Sequence, residues 1–598
     1  MTGDNIGLPA VHHVVADPQK IEAAPDYSHL RFARGYVLHT KDTTPAVPEF
    51  WGQREFAGRV FRWDPRVSVA VASAKDQEVL ICGHALDPNL GTTDLGTIAA
   101  RLLVALQSSR QAYLDVLEEM FGQFVVLDRV HGEVRAQTDA IASRALFHDD
   151  QATLIASHVN LVGRTLKRKA SKFTKWLSQP KTQDYPGRTT PYDGVWLLTP
   201  NTELTLGTGD ITRIGPRPYE PMTVEQAADL MQPVLETQVA VLLESGRKVV
   251  VSASAGIDSR TSLAAFARAQ NKKSVEVFTY TKALGSGRQS RELHRDKLAA
   301  TMAADLGLSH RLFDLNTAQR PPKEYVNLLR ELSSRRSNTV ISWVYHSNLP
   351  HDSLHIRGQI NGVGKWHFAT MLHFSESLEL SARRMASLTK RGKDADKPLD
   401  DPWWDLGQEG FQEYIETTKL RSVPTGYRST DLFLWEHRVA NWNHAHIVES
   451  DVTFDTYQLF GSRRMIRLML SVPEIDRVQL ALFRELIRRL EPRLLKYPLN
   501  GKTWEEPTYD LPLSAYQAGT TRTWAEVQNL RKRISTANVK LKSRRQEIAR
   551  LRKELAHAQK NVAELQAKLA TAERAAPDTA LQQVKRGVRS IRSRLSSR

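Results

Sequence analysis

The sequence predicts three successive architectures: an α+β domain of short antiparallel strands, an α/β domain built on a parallel sheet, and a long C-terminal helix of coiled-coil type. Short apolar runs separated by turn residues fill the first third of the chain, the pattern of a β-rich domain. Further on, the β-branched run Val249-Val250-Val251 leads into a turn of small residues and then an Ala/Leu-rich helix former, as in a strand covered on both faces. In the last part Val527, Ile534, Leu541, Ile548, Leu555, Val562 and Leu569 recur every seven residues, the spacing of a coiled-coil core row.

In chain order, residues 1–27 read as a flexible leader rich in Pro, Asp and Ala, and the first strand-like run is Gly35-Tyr36-Val37-Leu38. Residues 28–215 form the β-rich domain, with strand-like segments at 120–128, 143–148, 154–158 and 194–200. Residues 222–515 form the α/β domain. Its most informative stretch is Ser254-Ala255-Gly256-Ile257-Asp258-Ser259, a candidate phosphate-binding turn between strand and helix. Small residues let backbone N–H groups approach an anion, and a helix N-terminus adds roughly 0.3–1 kcal/mol per charge. Asp258 is the candidate magnesium ligand, because a hard divalent cation takes carboxylate and phosphate oxygens. No Gly-Lys-Ser/Thr closes the turn, which excludes a Walker A loop. Residues 275–280 read as a second strand, 292–306 as one amphipathic helix ending at Gly307, and 354–358 as a later strand and glycine turn. This alternation is the grammar of a parallel sheet.

The turn resembles the S-G-G-x-D-S loop of the ATP pyrophosphatase superfamily, with Ala255 at the first glycine. The helix after the second strand and the turn at Gly358 resemble those of asparagine synthetases, and the preceding β-rich region resembles their N-terminal nucleophile-type, glutaminase-like domain. The likeness spans roughly residues 28–506. It implies an adenine nucleotide α-hydrolase-like synthetase domain, ATP and Mg as cofactors, and Ser254, Ala255, Gly256, Ile257, Asp258, Ser259 and Gly358 around the phosphates. It also implies a lysine on the last loop that neutralises departing pyrophosphate; Lys502 is the candidate, and a solvated loop lysine is the alternative.

The departures are specific. A working glutaminase of that family carries a cysteine at the second position, where the α-amine serves as base. Thr2 stands there, and the single cysteine is Cys82. The expected state of the domain is therefore an inert structural one. Asparagine synthetases also follow the later glycine turn with an acidic pair, whereas Gly362 and Val363 occupy those places and residues 357–365 hold no carboxylate. His444-Ala445-His446 has metal-site spacing but no evident third ligand, and zinc needs at least three protein ligands. Residues 167–188 and 389–402 read as mobile connections.

Of the net charge of +17, residues 524–598 supply most, with 19 of the 83 Lys and Arg but 6 of the 66 Asp and Glu. The body is nearly balanced, so nucleic acid is not its expected partner. Residues 524–576 read as a coiled coil that joins copies of the chain, although Arg544 falls in the weaker second core row. Residues 578–598 form a basic amphipathic stretch suited to an anionic membrane surface, RNA or an acidic protein, or solvated with no fixed partner. A single cysteine excludes an intramolecular disulfide framework, and no apolar run reaches membrane-spanning length, which together point to the cytoplasm with peripheral membrane contact through the tail as an option.

Two readings of function follow. One is an asparagine synthetase-like, ATP-dependent amide-forming enzyme joining a small carboxylate to an amine, by default aspartate to ammonia, without its own glutamine hydrolysis. The other is a non-catalytic scaffold of the same fold that works through its coiled coil and basic tail.

Overall fold

The computed structural model describes residues 10–14, 21–178, 184–284, 288–333, 338–365, 367, 380–389, 403–505, 524–575 and 578–595. The chain divides into a body, residues 1–372 and 376–518, and a second unit, residues 373–375 and 519–598.

The first part of the body contributes strands β1 (Ala10–Val14), β2 (Tyr36–His39), β3 (Gly52–Phe56), β4 (Arg59–Trp63), β5 (Ser68–Ala74), β6 (Gln77–Leu86) and β7 (Phe121–Val130). It continues with β8 (Glu133–Thr138), β9 (Phe147–Asp149), β10 (Ile155–Ala156), β11 (Val195–Leu197), β12 (Thr202–Thr205) and β13 (Ile211–Arg213). They form one sheet in the order β1-β5-β6-β7-β8-β12-β13 and another in the order β11-β9-β10-β2-β4-β3, with antiparallel pairing throughout.

Period-two alternation builds the layers. Val71, Leu80, Cys82, Val125 and Leu127 turn to the second sheet and pack with Tyr36, Phe61 and Trp63. Their neighbours Ala72, Val79, Ile81 and Val126 turn the other way, onto Ile98, Leu102 and Tyr113 of the helices Leu95–Ser108 and Arg110–Glu119.

The second part adds β14 (Val249–Ser252), β15 (Val275–Thr281), β16 (Ser309–Asp314), β17 (Leu354–Ile356) and β18 (Asp455–Tyr457), all parallel in the order β16-β15-β14-β17-β18. Val249 and Val251 join the large helical core, while Val250 packs with Phe278, Tyr345 and Phe454 on the opposite face. A central parallel strand covered on both sides needs such a continuous apolar run.

Three expectations are corrected. The leader is not wholly irregular, because β1 pairs antiparallel with β5 from Ala10↔Ser73 to Val14↔Val69; the free edge of β5 offers backbone groups to pair. The helix expected over residues 292–306 is two helices, Arg288–Arg295 and Leu298–Asp305, broken around Asp296. Residues 167–188 are anchored at their described positions, since Phe173, Trp176, Tyr185 and Arg188 are buried. Of the other expected connection, residues 390–402 lie outside the described residues.

A buried polar seam joins the two parts of the body. Arg213 grips Glu436 with two bonds of 2.8 and 2.9 Å, and Glu436 sits in the π-helical turn Phe433–Val439. Arg463 Nη2 donates to the Thr138 carbonyl at 2.9 Å, and Trp435 Nε1 donates to that of Ala140 at 2.7 Å. Arg34, 1% exposed, pairs with Asp455 at 3.1 Å and also with Asp352, and donates to the Asp451 carbonyl. Asp455 further pairs with Arg247 at 2.7 Å and Arg144 at 3.8 Å.

In the second unit, the helices Trp524–Ala575 and Asp578–Leu595 carry the tail. Ile548, Leu555, Val562 and Leu569 of the first heptad row are exposed, as are Leu551 and Leu565 of the second. The side chains of Val527, Ile534 and Leu541, and Pro577, lie outside the described residues. Among the described residues no helix is long and apolar enough to cross a membrane.

Candidate functional site

Chain order and spatial order diverge at β14. From it the chain runs to β15 and β16 on one side, then to β17 and β18 on the other, so the reversal falls between β14 and β17. In open parallel sheets the crevice outside the strand ends at such a reversal is where ligands bind. A cleft of about 250 Å³ opens there, lined by Ser252 at the end of β14 with Ala253 and Ser254 after it, Asp258 and Ser259 on the next helix, Phe278 to Tyr280 of β15, and Arg357 to Gln359 after β17. Ligand cavities commonly measure roughly 300–1,000 Å³, so this one suits part of a nucleotide rather than all of it.

The loop is braced from within. Ser259 Oγ accepts the Ser254 N–H at 2.9 Å and lies 2.8 Å from Ser254 Oγ, which itself accepts the Gly256 N–H at 3.2 Å. Gly256 caps the helix Ile257–Phe266 at φ −82°, and neither it nor Ala255 has positive φ, so alanine in place of the first glycine brings no backbone strain. The first-turn N–H groups of this helix have no acceptor within the helix.

Asp296 completes the loop. The break between the two helices after β15 leaves its carboxylate accepting the Ala255 N–H at 2.9 Å, and burial pushes its pKa up. Behind the loop, buried Arg260 donates to the carbonyls of Ala255, Leu494, Tyr497 and Pro498 at 2.8–3.3 Å. The Asn500 N–H donates to Ala255 O at 3.1 Å, which docks the turn Leu499↔Lys502 against the loop.

Gly358 meets the start of the helix at close range. A Cβ there would lie 2.8 Å from the Asp258 carbonyl carbon and oxygen and 3.1 Å from the Ser259 nitrogen. Since these are backbone atoms, Gly358→Ala is expected to cost about 1–3 kcal/mol by overpacking. It should lower the melting temperature and weaken ligand binding together; an unchanged melt would show that the turn relaxes freely.

Of the residues singled out in the sequence, Ser254, Asp258, Ser259 and Gly358 line the cleft. Ala255 and Ile257 are buried behind it, and Gly256 shapes the turn. Lys502 is exposed on the adjoining turn and is not part of the lining. Thr2 lies outside the described residues. Cys82 is buried in mid-sheet between Val69 and Val125, with its thiol pushed up to about 12 by burial, so it is no nucleophile. His444 is buried with its pKa lowered to about 3 by burial, and His446 lies 3.5 Å from Glu449. Among the described residues no three His, Cys, Asp or Glu side chains cluster as metal ligands.

Sequence reasoning did not single out two cleft groups, Asp296 and Arg357, nor Lys365, which bonds to Asp258 without lining the cleft itself. Lys365 closes the short helical turn Gln359–Lys365 and places its Nζ 2.6 Å from Asp258 Oδ2. Two cations and no carboxylate in residues 357–365 are the signal that the sequence offered.

The donors around Asp258 do not fit a magnesium ion. Asp258 Oδ2 is taken by an ammonium while its Oδ1 is buried without a hydrogen-bond partner among the described residues, the turn after β17 supplies no second carboxylate, and Asp296 Oδ1 accepts the Ala255 amide. Two unit charges 4 Å apart interact by about 4 kcal/mol at an effective dielectric constant near 20, and a divalent ion against Lys365 would face on the order of twice that.

No protein-family model matches the chain, and no curated protein does. Solved structures similar to it include the allosteric regulatory enzyme of purine biosynthesis, at 11% identity over 51% of this chain and 79% of that one, with a TM-score of 0.20. Another is glutamine phosphoribosylpyrophosphate amidotransferase from B. subtilis complexed with ADP and GMP, at 10% identity over 59% and 76%, with a TM-score of 0.19. Neither likeness carries an argument about this site.

Proposed function

We propose that the cleft binds the phosphates of ATP and that the chain is an asparagine synthetase-like, amide-forming protein. The observation that carries this reading is the position of the Ser254–Ser259 turn at the strand-order reversal, with Arg357 beside it. In the reaction that the resemblance implies, a substrate carboxylate oxygen attacks the α-phosphate, pyrophosphate leaves, and an amine then displaces AMP from the acyl-adenylate. Ser254, Ser259 and the helix N-terminus would orient the phosphates. Arg357 would offset their charge, and Lys502, on the docked turn, would meet the departing pyrophosphate. With Thr2 in place of cysteine, free ammonia or another amine is the expected nitrogen donor, and aspartate is the default carboxylate.

A non-catalytic scaffold is the second reading, favoured by the ammonium on Asp258 and by the exposed heptad rows of the tail. Calorimetry of the full chain with ATP, alongside Arg357→Ala, followed by pyrophosphate release with aspartate and ammonia, separates the two. The enzyme reading expects binding that falls at least tenfold in Arg357→Ala, together with pyrophosphate release. Binding without release on a panel of carboxylates supports the scaffold, and absence of ATP binding would overturn the nucleotide site itself.

A further inference from the structure

Asp258 and Lys365 stand 107 residues apart in sequence, yet their charged ends meet at 2.6 Å. The side chains are 34% and 24% exposed, so the pair is not in the core; Asp258 lines the cleft and Lys365 stands directly against it without lining it. Two features set it apart from an incidental surface ion pair. Asp258 lines the cleft on the first turn of the helix that follows the phosphate-type turn. Lys365 ends the turn that runs directly from Arg357 and Gly358, both of which line the same cleft.

The balance of charge at the cleft points one way. Asp258 is matched by Lys365, and Asp296 is turned onto the Ala255 N–H. Arg357 lines the cleft with no ion pair or side-chain hydrogen bond among the described residues. An ammonium has three donors, and Lys365 uses one on Asp258 among the described residues, leaving two for other oxygens. The carboxylate holds the ammonium in place, so little ordering remains when an anion arrives. Lysine serves readily as a point-charge partner for phosphate, and guanidinium as a forked one.

We propose that Lys365 takes the place of a divalent cation in this cleft, so that the site binds a polyphosphate without metal. This rests on the reading of the cleft as a nucleotide-phosphate site. Metal is then a competitor for Asp258 and not a bridge to the ligand.

The test is calorimetry of ATP with the full chain, in EDTA and in millimolar magnesium, for the wild type, Lys365→Met and Lys365→Arg, with circular dichroism melts to establish folding. The wild type is expected to bind in EDTA at least as tightly as in magnesium. Lys365→Met should lose at least tenfold in EDTA and regain part of it in magnesium, because Asp258 is then open to the ion. Lys365→Arg, which keeps the charge, should stay within about threefold of the wild type. Wild-type binding that requires magnesium would overturn the proposal and leave the nucleotide reading standing. Metal-free binding unaltered in Lys365→Met would also overturn it. No ATP binding by the wild type in either buffer would overturn both.

Discussion

Replacing Asp455 with alanine is expected to destabilise the body by about 3–5 kcal/mol, the usual cost of removing one partner from a buried ion pair. Asp455 opens β18 and faces Arg34 at 3.1 Å, Arg247 at 2.7 Å and Arg144 at 3.8 Å, so its loss takes a shared carboxylate from two guanidinium groups that are themselves only 1–2% exposed and keep only Asp352 and Asp451 as carboxylate partners among the described residues. Burial alone would raise the Asp455 pKa, but Arg247, Arg34, His84 and Arg144 overcome it and hold the carboxyl well below its usual range. A carboxyl lowered on folding contributes stability above its unfolded pKa, near 4, and loses it as pH falls toward the folded value. Asp451 behaves oppositely, because burial pushes it up to about 7, so the stability cost of ionising it grows as pH rises from about 4 and is complete above about 7. Urea denaturation from pH 3 to 8 should therefore show a large Asp455→Ala deficit at neutral pH that narrows toward pH 3. A deficit that stays constant across this range would contradict the assignment of Asp455 as the ionised member of the seam.

Arg260→Met is expected to cost about 1–3 kcal/mol, for a different reason. The guanidinium has no carboxylate partner among the described residues and instead donates to four carbonyls, those of Ala255, Leu494, Tyr497 and Pro498. Burial pushes its pKa down to about 10, so it remains charged at neutral pH. Methionine fills similar space but leaves those carbonyls without the donor. The Ala255 carbonyl also accepts from Asn500, so loosening it frees both the turn and the segment that carries Lys502. A urea midpoint lowered together with ATP affinity would place Arg260 as a positioning residue for the loop. A lower midpoint with intact affinity would assign it to stability alone.

The legible parts of the site were those written in local pattern. Small residues between Val251 and the helix-forming run marked the turn, and Gly358 after a short apolar run marked the opposing one. Both reach the cleft because each follows directly from a strand whose end it caps. Asp296 was less legible, since a uniform amphipathic period ran through it and concealed the break that turns its carboxylate to Ala255. The leader strand was hidden similarly, because Ala10–Val14 gains its conformation from the edge of β5 and not from its own composition.

By itself, then, the sequence determined some of the strands, among them β2, β7, β14, β15 and β17, which turn can face an anion, and where a heptad helix lies, because these depend on residue type and spacing within a few turns of chain. Tertiary structure alone decided which charges meet. Placing β17 beside β14 carries Lys365 to Asp258, and placing β18 beside β17 brings Asp455 to Arg34. Coulomb partners are chosen by distance in space, and strand order sets that distance without leaving a period in the sequence.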